Sequence, residues 1–307
     1  MKKLLFIYNP HAGRGSITQQ LGMVVETFLS HGYLPTLYAT QGPGDGVWAV
    51  SAMGEEYDHI VCCGGDGTLS EVVTGLYNHE IKGATVGYLP AGSTNDFSRT
   101  LELPLEDLQL AAECAVAGAP QACDVGVVGE DGHLFTYVAA FGAFTSTSYA
   151  TPQPMKNLLG HTAYVFSGIS SLASLKPCHM KVTWDGGELE DDYIYGMVSN
   201  SISVGGFQGL NTEPVVLDDG LFEVLLIRAP KTLVGLSQIV TALISHRPNE
   251  NCIALRSGKL RFESDKPVAW TLDGEFGGEH TVLEVHDEPR FVTILSGIGW
   301  EKKERWS

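Results

Sequence analysis

Cys63-Gly64-Gly65-Asp66-Gly67-Thr68-Leu69-Ser70-Glu71 is the segment whose residue types and spacing say most about chemistry. Backbone N–H groups reach phosphate oxygens only where no Cβ intervenes, and the positive end of a following helix favours the same charge. Asp66 is the odd member, because a carboxylate among such amides repels a bare phosphate. It makes sense if it holds a divalent cation, a bridging water or a nucleotide hydroxyl. Thr68 and Glu71 have the spacing of a capping box, which would fix where the helix begins. Taken alone, the segment leaves a plain strand-to-helix turn and a phosphate cradle equally open.

Two further turns combine small residues with side-chain donors: Asn9-Pro10-His11-Ala12-Gly13-Arg14-Gly15 and Pro90-Ala91-Gly92-Ser93-Thr94-Asn95-Asp96-Phe97. Neither has the spacing of a P-loop or of a Rossmann fingerprint, which disfavours the common nucleotide folds. Asp273-Gly274-Glu275 sets two carboxylates at one turn, where either could do acid–base chemistry. Six Asp-Gly dipeptides occur in the chain, however, so an ordinary turn is the competing reading. Pro214-Val215-Val216-Leu217-Asp218-Asp219-Gly220-Leu221 pairs tandem carboxylates with a tight turn, which suits a hard cation such as Mg²⁺; on its own a charged hairpin ranks ahead. Glu188, Glu190, Asp191 and Asp192 read as a solvated hairpin tip. His11, His59, His161 and His246 lack metal or triad spacing, and Ser16 and Ser93 lack triad partners, so hydrolase chemistry is disfavoured.

These turns need elements to hold them. The first third alternates short apolar runs with helical patterns, the mark of βαβ units and a parallel sheet. Strands are predicted over Lys3–Asn9, Leu34–Ala39, His59–Cys63 and Thr85–Leu89, and helices over Ile17–His31, Val47–Met53 and Leu69–Tyr77. Ligands of open α/β sheets sit beyond the carboxyl ends of the strands, so the turns after Tyr8, Cys63 and Leu89 should face one crevice. From about Val125 the pattern becomes period-two strands with hairpin signals at Glu130-Asp131-Gly132, Trp184-Asp185-Gly186-Gly187 and Asp218-Asp219-Gly220. A helix is predicted over Leu233–Ser245, stopping before Pro248.

With 307 residues, against a typical domain of about 150, two domains are expected. A formal charge of -17, from 19 basic against 36 acidic residues, argues against nucleic acid as a partner. Six scattered cysteines without CxxC spacing read as reduced core thiols. Met1-Lys2-Lys3 and the five apolar residues after it are too short for a secretory segment. The longest uncharged stretches, Leu134–Met155 and Tyr193–Thr212, are broken by polar residues, so membrane contact should be peripheral and the compartment cytoplasmic.

Tyr8-Asn9-Pro10…Gly13, Gly64-Gly65-Asp66-Gly67-Thr68-Leu69-x-Glu71-Val72 and Pro90-x-Gly92-Ser93-Thr94-Asn95-Asp96-Phe97-x-Arg99 together closely resemble the diacylglycerol kinase catalytic domain family. Asn157-Leu158-Leu159-Gly160 with Ala163-Tyr164, Asn200-Ser201…Gly205-Gly206, Pro214…Leu217-Asp218-Asp219-Gly220 and Asp273-Gly274-Glu275 are similar to the bacterial soluble lipid kinases. The resemblance implies an α/β nucleotide domain related to those of NAD kinases and phosphofructokinases, residues 1–124 with 296–307. A mainly antiparallel β-rich lipid-binding domain, residues 125–295, would follow, with the nucleotide between them.

It also implies that Asn9, Pro10, His11, Ala12, Gly13, Thr40, Gly65, Asp66, Gly67, Thr68, Leu69, Ser70, Glu71 and Ser93 contact ATP. Asp96 matches an acidic active-site position, Glu275 the general base and Asp273 its electrostatic or metal-positioning partner. Val216, Asp219 and Leu221 match the holders of a structural Mg²⁺. The activity implied is transfer of the ATP γ-phosphoryl to diacylglycerol. Phosphatidylglycerol, a sphingoid base or undecaprenol as acceptor, or a non-catalytic nucleotide- or lipid-binding regulator, are the alternatives. The partners implied are ATP, a membrane lipid and a peripheral membrane surface, with a homodimer as one assembly and Arg14, Arg99, Lys156 and Arg256 as headgroup contacts.

Overall fold

Continuous burial along the central strands builds a sheet with two apolar faces. The computed structural model describes residues 1–81, 84–129, 132–142, 176–204, 207–208, 210 and 214–300. Strands β1 (Lys2–Tyr8), β2 (Tyr33–Ala39), β3 (His59–Gly64) and β4 (Thr85–Pro90) lie parallel in the order β2-β1-β3-β4. Leu4 and Phe6 of β1 join Val24 and Phe28 of helix α1 (Ser16–Ser30) in one core. Leu5 and Ile7 point the other way, into a core with Val50 of α2 (Asp45–Met53) and Val72 and Leu76 of α3 (Asp66–Asn78). Alternate side chains of a strand leave opposite faces, so a strand covered on both sides reads as a continuous apolar run. Two short helices follow β4, α4 (Asp96–Thr100) and α5 (Leu108–Ala117), neither of which the apolar spacing predicts.

The second part is antiparallel and β-rich. It contains β5 (Ala119–Val128), β6 (His133–Phe135), β7 (Val138–Gly142), β8 (Cys178–Trp184), β9 (Gly187–Ser199), β10 (Ser203–Val204), β11 (Phe207–Gln208), β12 (Phe222–Arg228), helix α6 (Leu233–Ser245), β13 (Cys252–Ser257), β14 (Lys259–Leu272) and β15 (Glu275–Ser296). Its main sheet continues the first one, in the order β13-β12-β9-β7-β14-β15-β4-β3-β1-β2. The join is β15, antiparallel to β14 and β5 and then parallel to β4 at Thr293–Leu295. The chain therefore returns to the first part from Thr293 onward, and the boundary expected between residues 124 and 125 falls inside β5.

Asp185-Gly186 makes the expected two-residue hairpin, with Trp184 opposite Gly187. Asp218-Asp219-Gly220 does not: residues 214–217 form no strand, and the turn leads into β12, whose partners are β9 and β13. Glu130 and Asp131 lie outside the described residues, as do Asn157 to Gly160, His161, Ala163, Tyr164, Gly205, Gly206 and the segment 301–307. The acidic run on β9 is paired across strands, Glu188 with Lys181, Glu190 and Asp192 with His179, and Asp191 with Arg228. Among the described residues, no helix is long and apolar enough to cross a membrane.

Candidate active site

The carboxyl ends of the parallel strands are stitched together by their own backbone. Asn9 N–H donates to Cys63 O at 2.9 Å, Thr40 N–H to Tyr8 O at 2.9 Å and Ala91 N–H to Gly64 O at 2.7 Å. The three glycine-rich turns thus meet at one edge of the sheet. The turns after β3 and β4 touch through glycines: a Cβ on Gly92 would stand 2.5 Å from Gly65 Cα. Asn95, in the left-handed region at φ 51, grips Gly92 with both ends of its amide at 2.8 Å. That grip leaves Ser93 exposed on the rim and turns the chain into α4.

In the first turn, Asn9 Oδ1 accepts the His11 N–H, and Pro10, Ala12 and Gly13 complete the loop. Thr40 is buried beside it. Leu69 faces the core, so it can offer a ligand only backbone. The capping box expected of Thr68 and Glu71 does not form. α3 begins at Asp66 with Gly65 as N-cap and no side-chain cap bond. Glu71 instead accepts the N–H groups of Gly44 and Gly46, both at 2.8 Å. A carboxylate satisfies the free amides of a helix start and opposes its dipole, and the start of α2 has no cap of its own. Glu71, expected at ATP, therefore spends its charge on α2.

Asp66 accepts Asp96 N–H at 3.1 Å and Phe97 N–H at 3.3 Å, so it fastens the start of α4 and brings Asp96 beside it. Both carboxylates are buried. Burial pushes Asp66 up to about 6; the charges of Asp96 and Asp273 add to this, and the two N–H donors oppose it.

Asp273 enters from the other part of the chain. With Gly274 it forms a two-residue turn, at φ 49 and 88, that joins Leu272 of β14 to Glu275 of β15. Asp-Gly favours such a primed hairpin because both central residues take positive φ. The ordinary-turn reading is right about the backbone, and the side chain does more. It accepts the N–H groups of Thr136, Tyr137 and Val138 at 2.7, 3.0 and 3.1 Å, and the side chain of Ser70, in the second turn of α3, lies close enough to favour its ionised form. Burial raises its pKa and these hydrogen bonds counter the rise. Asp273 is thus a buried anchor between the two parts, and Glu275, two residues on, is exposed.

The turn of Val216, Asp219 and Leu221 is a separate place. Asp219 accepts Leu221 N–H at 3.1 Å and Arg256 Nη2 at 2.6 Å. Arg256 also faces the buried Glu223 at 3.2 Å, so its guanidinium is committed there and not to lipid headgroups, contrary to expectation. Arg99 is exposed, while Lys156 and the side chain of Arg14 lie outside what is described. Asp124 Oδ2 accepts Gly220 N–H, and Asn200 Nδ2 donates to Asp124 O at 3.1 Å and Leu217 O at 3.2 Å. Asn200 N–H donates to Tyr137 O at 2.9 Å, which ties this turn to the Asp273 anchor.

Asn200, Asp124 and Tyr137 had no assigned role from the sequence, because their partners lie 17 to 136 residues away and no local spacing marks them. Among the described residues no three side chains of His, Cys, Asp or Glu group closely enough to hold a metal by themselves. A cation would need carbonyl, phosphate or water oxygens as well, as Mg²⁺ usually does.

Residues 3–128 match the family model described as diacylglycerol kinase catalytic domain, and residues 142–296 match the one described as YegS C-terminal NAD kinase beta sandwich-like domain. A protein named diacylglycerol kinase from Bacillus subtilis (strain 168) is 32% identical over 281 residues, 91% of this chain and 91% of its own. Its namesake from Staphylococcus aureus (strain MRSA252) is 30% identical over 281 residues, 91% of this chain and 87% of its own. A crystal structure described as a diacylglycerol kinase from Bacillus anthracis str. Sterne superposes with a TM-score of 0.75 at 22% identity, covering 96% of this chain and 97% of that one; this likeness is one of fold.

Proposed function

The chain belongs to the diacylglycerol kinase catalytic domain family, and on that premise we propose that it transfers the γ-phosphoryl of ATP to the hydroxyl of diacylglycerol, giving phosphatidate and ADP. The observation that carries the reading is the meeting of Asp66 and Asp273. Residues from the glycine-rich edge of the parallel sheet and from the β14–β15 turn lie in one buried polar cluster, with Ser70 beside Asp273. A cleft of that make-up has amides for a triphosphate on one side and a carboxylate for an alcohol on the other.

In this reading Asn9 to Gly13, Thr40, Gly65, Gly67, Thr68 and Ser93 line the nucleotide side, mainly with backbone donors. Asp66 and Asp96 would hold Mg²⁺ together with phosphate oxygens, and the ion would offset the charge that develops on the transferring group. Their fit rests on Asp66 itself: a carboxylate that burial and two like charges push up to about 6 is the donor a cation relieves. The second cation expected on Val216, Asp219 and Leu221 would share Asp219 with Arg256. It finds support in Asp287 Oδ1, a buried oxygen with no hydrogen-bond partner near this turn. Its place would be structural, holding the turn that Asn200 links to Tyr137.

Glu275 would take the alcohol proton as the new oxygen–phosphorus bond forms and the bond to ADP breaks. Its exposed position, two residues from the buried Asp273, suits an acceptor that arrives from a bilayer, with residues 125–295 forming most of the lipid side. Docking on that surface is peripheral in this reading.

Radiolabelled ATP supplied with a panel of lipids in mixed micelles tests the reaction. Labelled phosphatidate is the expected product; label on phosphatidylglycerol, a sphingoid base or undecaprenol instead would overturn the acceptor. Glu275→Gln should lower kcat by about 10²–10⁴, the range for loss of a general base, with an unchanged melting temperature. Near-normal turnover would remove the base assignment.

A further inference from the structure

Tyr137 stands where the two halves of the cluster meet. It lies in the bend between β6 and β7 and is 7% exposed. Its N–H donates to Asp273 Oδ1 at 3.0 Å and its carbonyl accepts Asn200 N–H at 2.9 Å. Its ring stacks on Phe97, with centroids 6.2 Å apart and planes 24° from parallel, and Phe97 N–H in turn donates to Asp66 Oδ1 at 3.3 Å. One residue thus touches the acceptor-side anchor through its backbone and the nucleotide-side helix through its ring.

The phenol lies within electrostatic reach of the same carboxylates. Burial raises its pKa well above the ordinary value, and the charges that raise it further are Asp66 first, then Asp273 and Asp96. It is a neutral donor among carboxylates, the kind of group that stabilises negative charge without neutralising it. On either side of Tyr137 a fully buried oxygen has no hydrogen-bond partner, Thr136 Oγ1 and Asn200 Oδ1. Protein interiors rarely leave such atoms unpaired, so polar groups beyond those of the chain itself are at home here.

We propose that Tyr137 is a positioning residue of the phosphoryl-transfer site: its ring and backbone hold α4 and Asp273 in one register, and its hydroxyl donates into the space between Asp66 and Asp273. The proposal rests on the kinase reading and adds to it a residue that fixes how the two carboxylates face each other. Geometry at this level matters because displacing reacting groups by about 1 Å costs about a hundredfold in rate.

Tyr137→Phe keeps the ring, the stack and the backbone contacts and removes the hydroxyl alone. Turnover of wild type and variant is measured in lipid micelles across pH 5 to 9, alongside thermal melting. The expected result is a kcat lower by about ten- to a hundredfold, what one hydrogen bond to a charged group converts to, with unchanged KM for ATP and unchanged melting temperature. A variant equal to an active wild type removes the proposal alone. A fall in kcat that tracks a fall in melting temperature assigns Tyr137 to packing and likewise removes it. A wild type that phosphorylates no lipid removes the kinase reading and the proposal together.

Discussion

Asp273 and Glu275 lie two residues apart on one turn, and the structure gives them opposite physical roles that mutation can separate. Asp273→Ala deletes the acceptor for three buried backbone N–H groups. Each orphaned donor costs about 1–3 kcal/mol, so the gross loss is about 3–9 kcal/mol. Ala at the positive φ of this position adds about 1–2 kcal/mol. Against this stands the relief of a buried charge whose pKa burial has raised, together with the end of its repulsion with Asp66. The balance is a net loss of about 3–5 kcal/mol, a large share of the roughly 5–15 kcal/mol that holds a typical domain together.

Asp273→Asn tolerates the left-handed backbone and keeps one acceptor oxygen, so it should lose about 1–3 kcal/mol. Glu275→Ala, at an exposed site, should change stability by less than about 0.5 kcal/mol. Urea unfolding followed by circular dichroism reads these as shifts in midpoint at constant slope. If Asp273→Ala unfolds at the wild-type midpoint and loses only turnover, the anchor argument is wrong and the residue acts on the reacting groups alone.

Gly67 and Gly92 should part company under the same substitution. Nothing lies within 4 Å of a Cβ on Gly67, in the first turn of α3, so Gly67→Ala should leave stability unchanged or raise it by up to about 1 kcal/mol. ATP binding, read by calorimetry, should nonetheless weaken at least tenfold if the amide must approach a phosphate. Gly92→Ala must push the two turns apart, and it should lose both stability and ATP binding. For pH, Asp66 is an acid whose folded pKa, about 6, lies above its usual 3.8. Its contribution to stability therefore falls as pH rises from about 4 to about 6, while the ionised form that a cation needs appears in the folded protein as pH rises through about 6. Nucleotide affinity in the presence of Mg²⁺ should drop on acidification through pH 6; an acid limb near pH 4 would contradict the burial argument.

The corrections share a cause. The Thr68–Glu71 spacing satisfies a local rule, yet Glu71 turns to α2 because that helix start lacks a cap and packs beside it. Arg256 has the type that suits a headgroup, but its cross-strand neighbour in the sheet is the buried Glu223, whose charge needs a partner. Asp219-Gly220 has the letters of a hairpin, and the strand that would complete it is missing on one side, so the turn is free to bind Asp124 and Asn200 instead. In each case a long-range partner outbid a local preference of comparable size.

Chain order alone was enough for the parallel strands, their helices and the meeting of the three glycine-rich turns. Those features depend on periodicity and on backbone conformations that neighbouring residues impose, and the ordered motifs carry the family likeness for the same reason. Which carboxylates come together was decided only by folding. Asp66 and Asp273 are 207 positions apart in the sequence, and what brings them together is the passage of β15 from one part of the sheet to the other, with Ser70 and Tyr137 bridging the gap. A contact of that kind leaves no periodic trace, because the free energy that fixes it comes from burial and hydrogen bonds between segments with no common local rule.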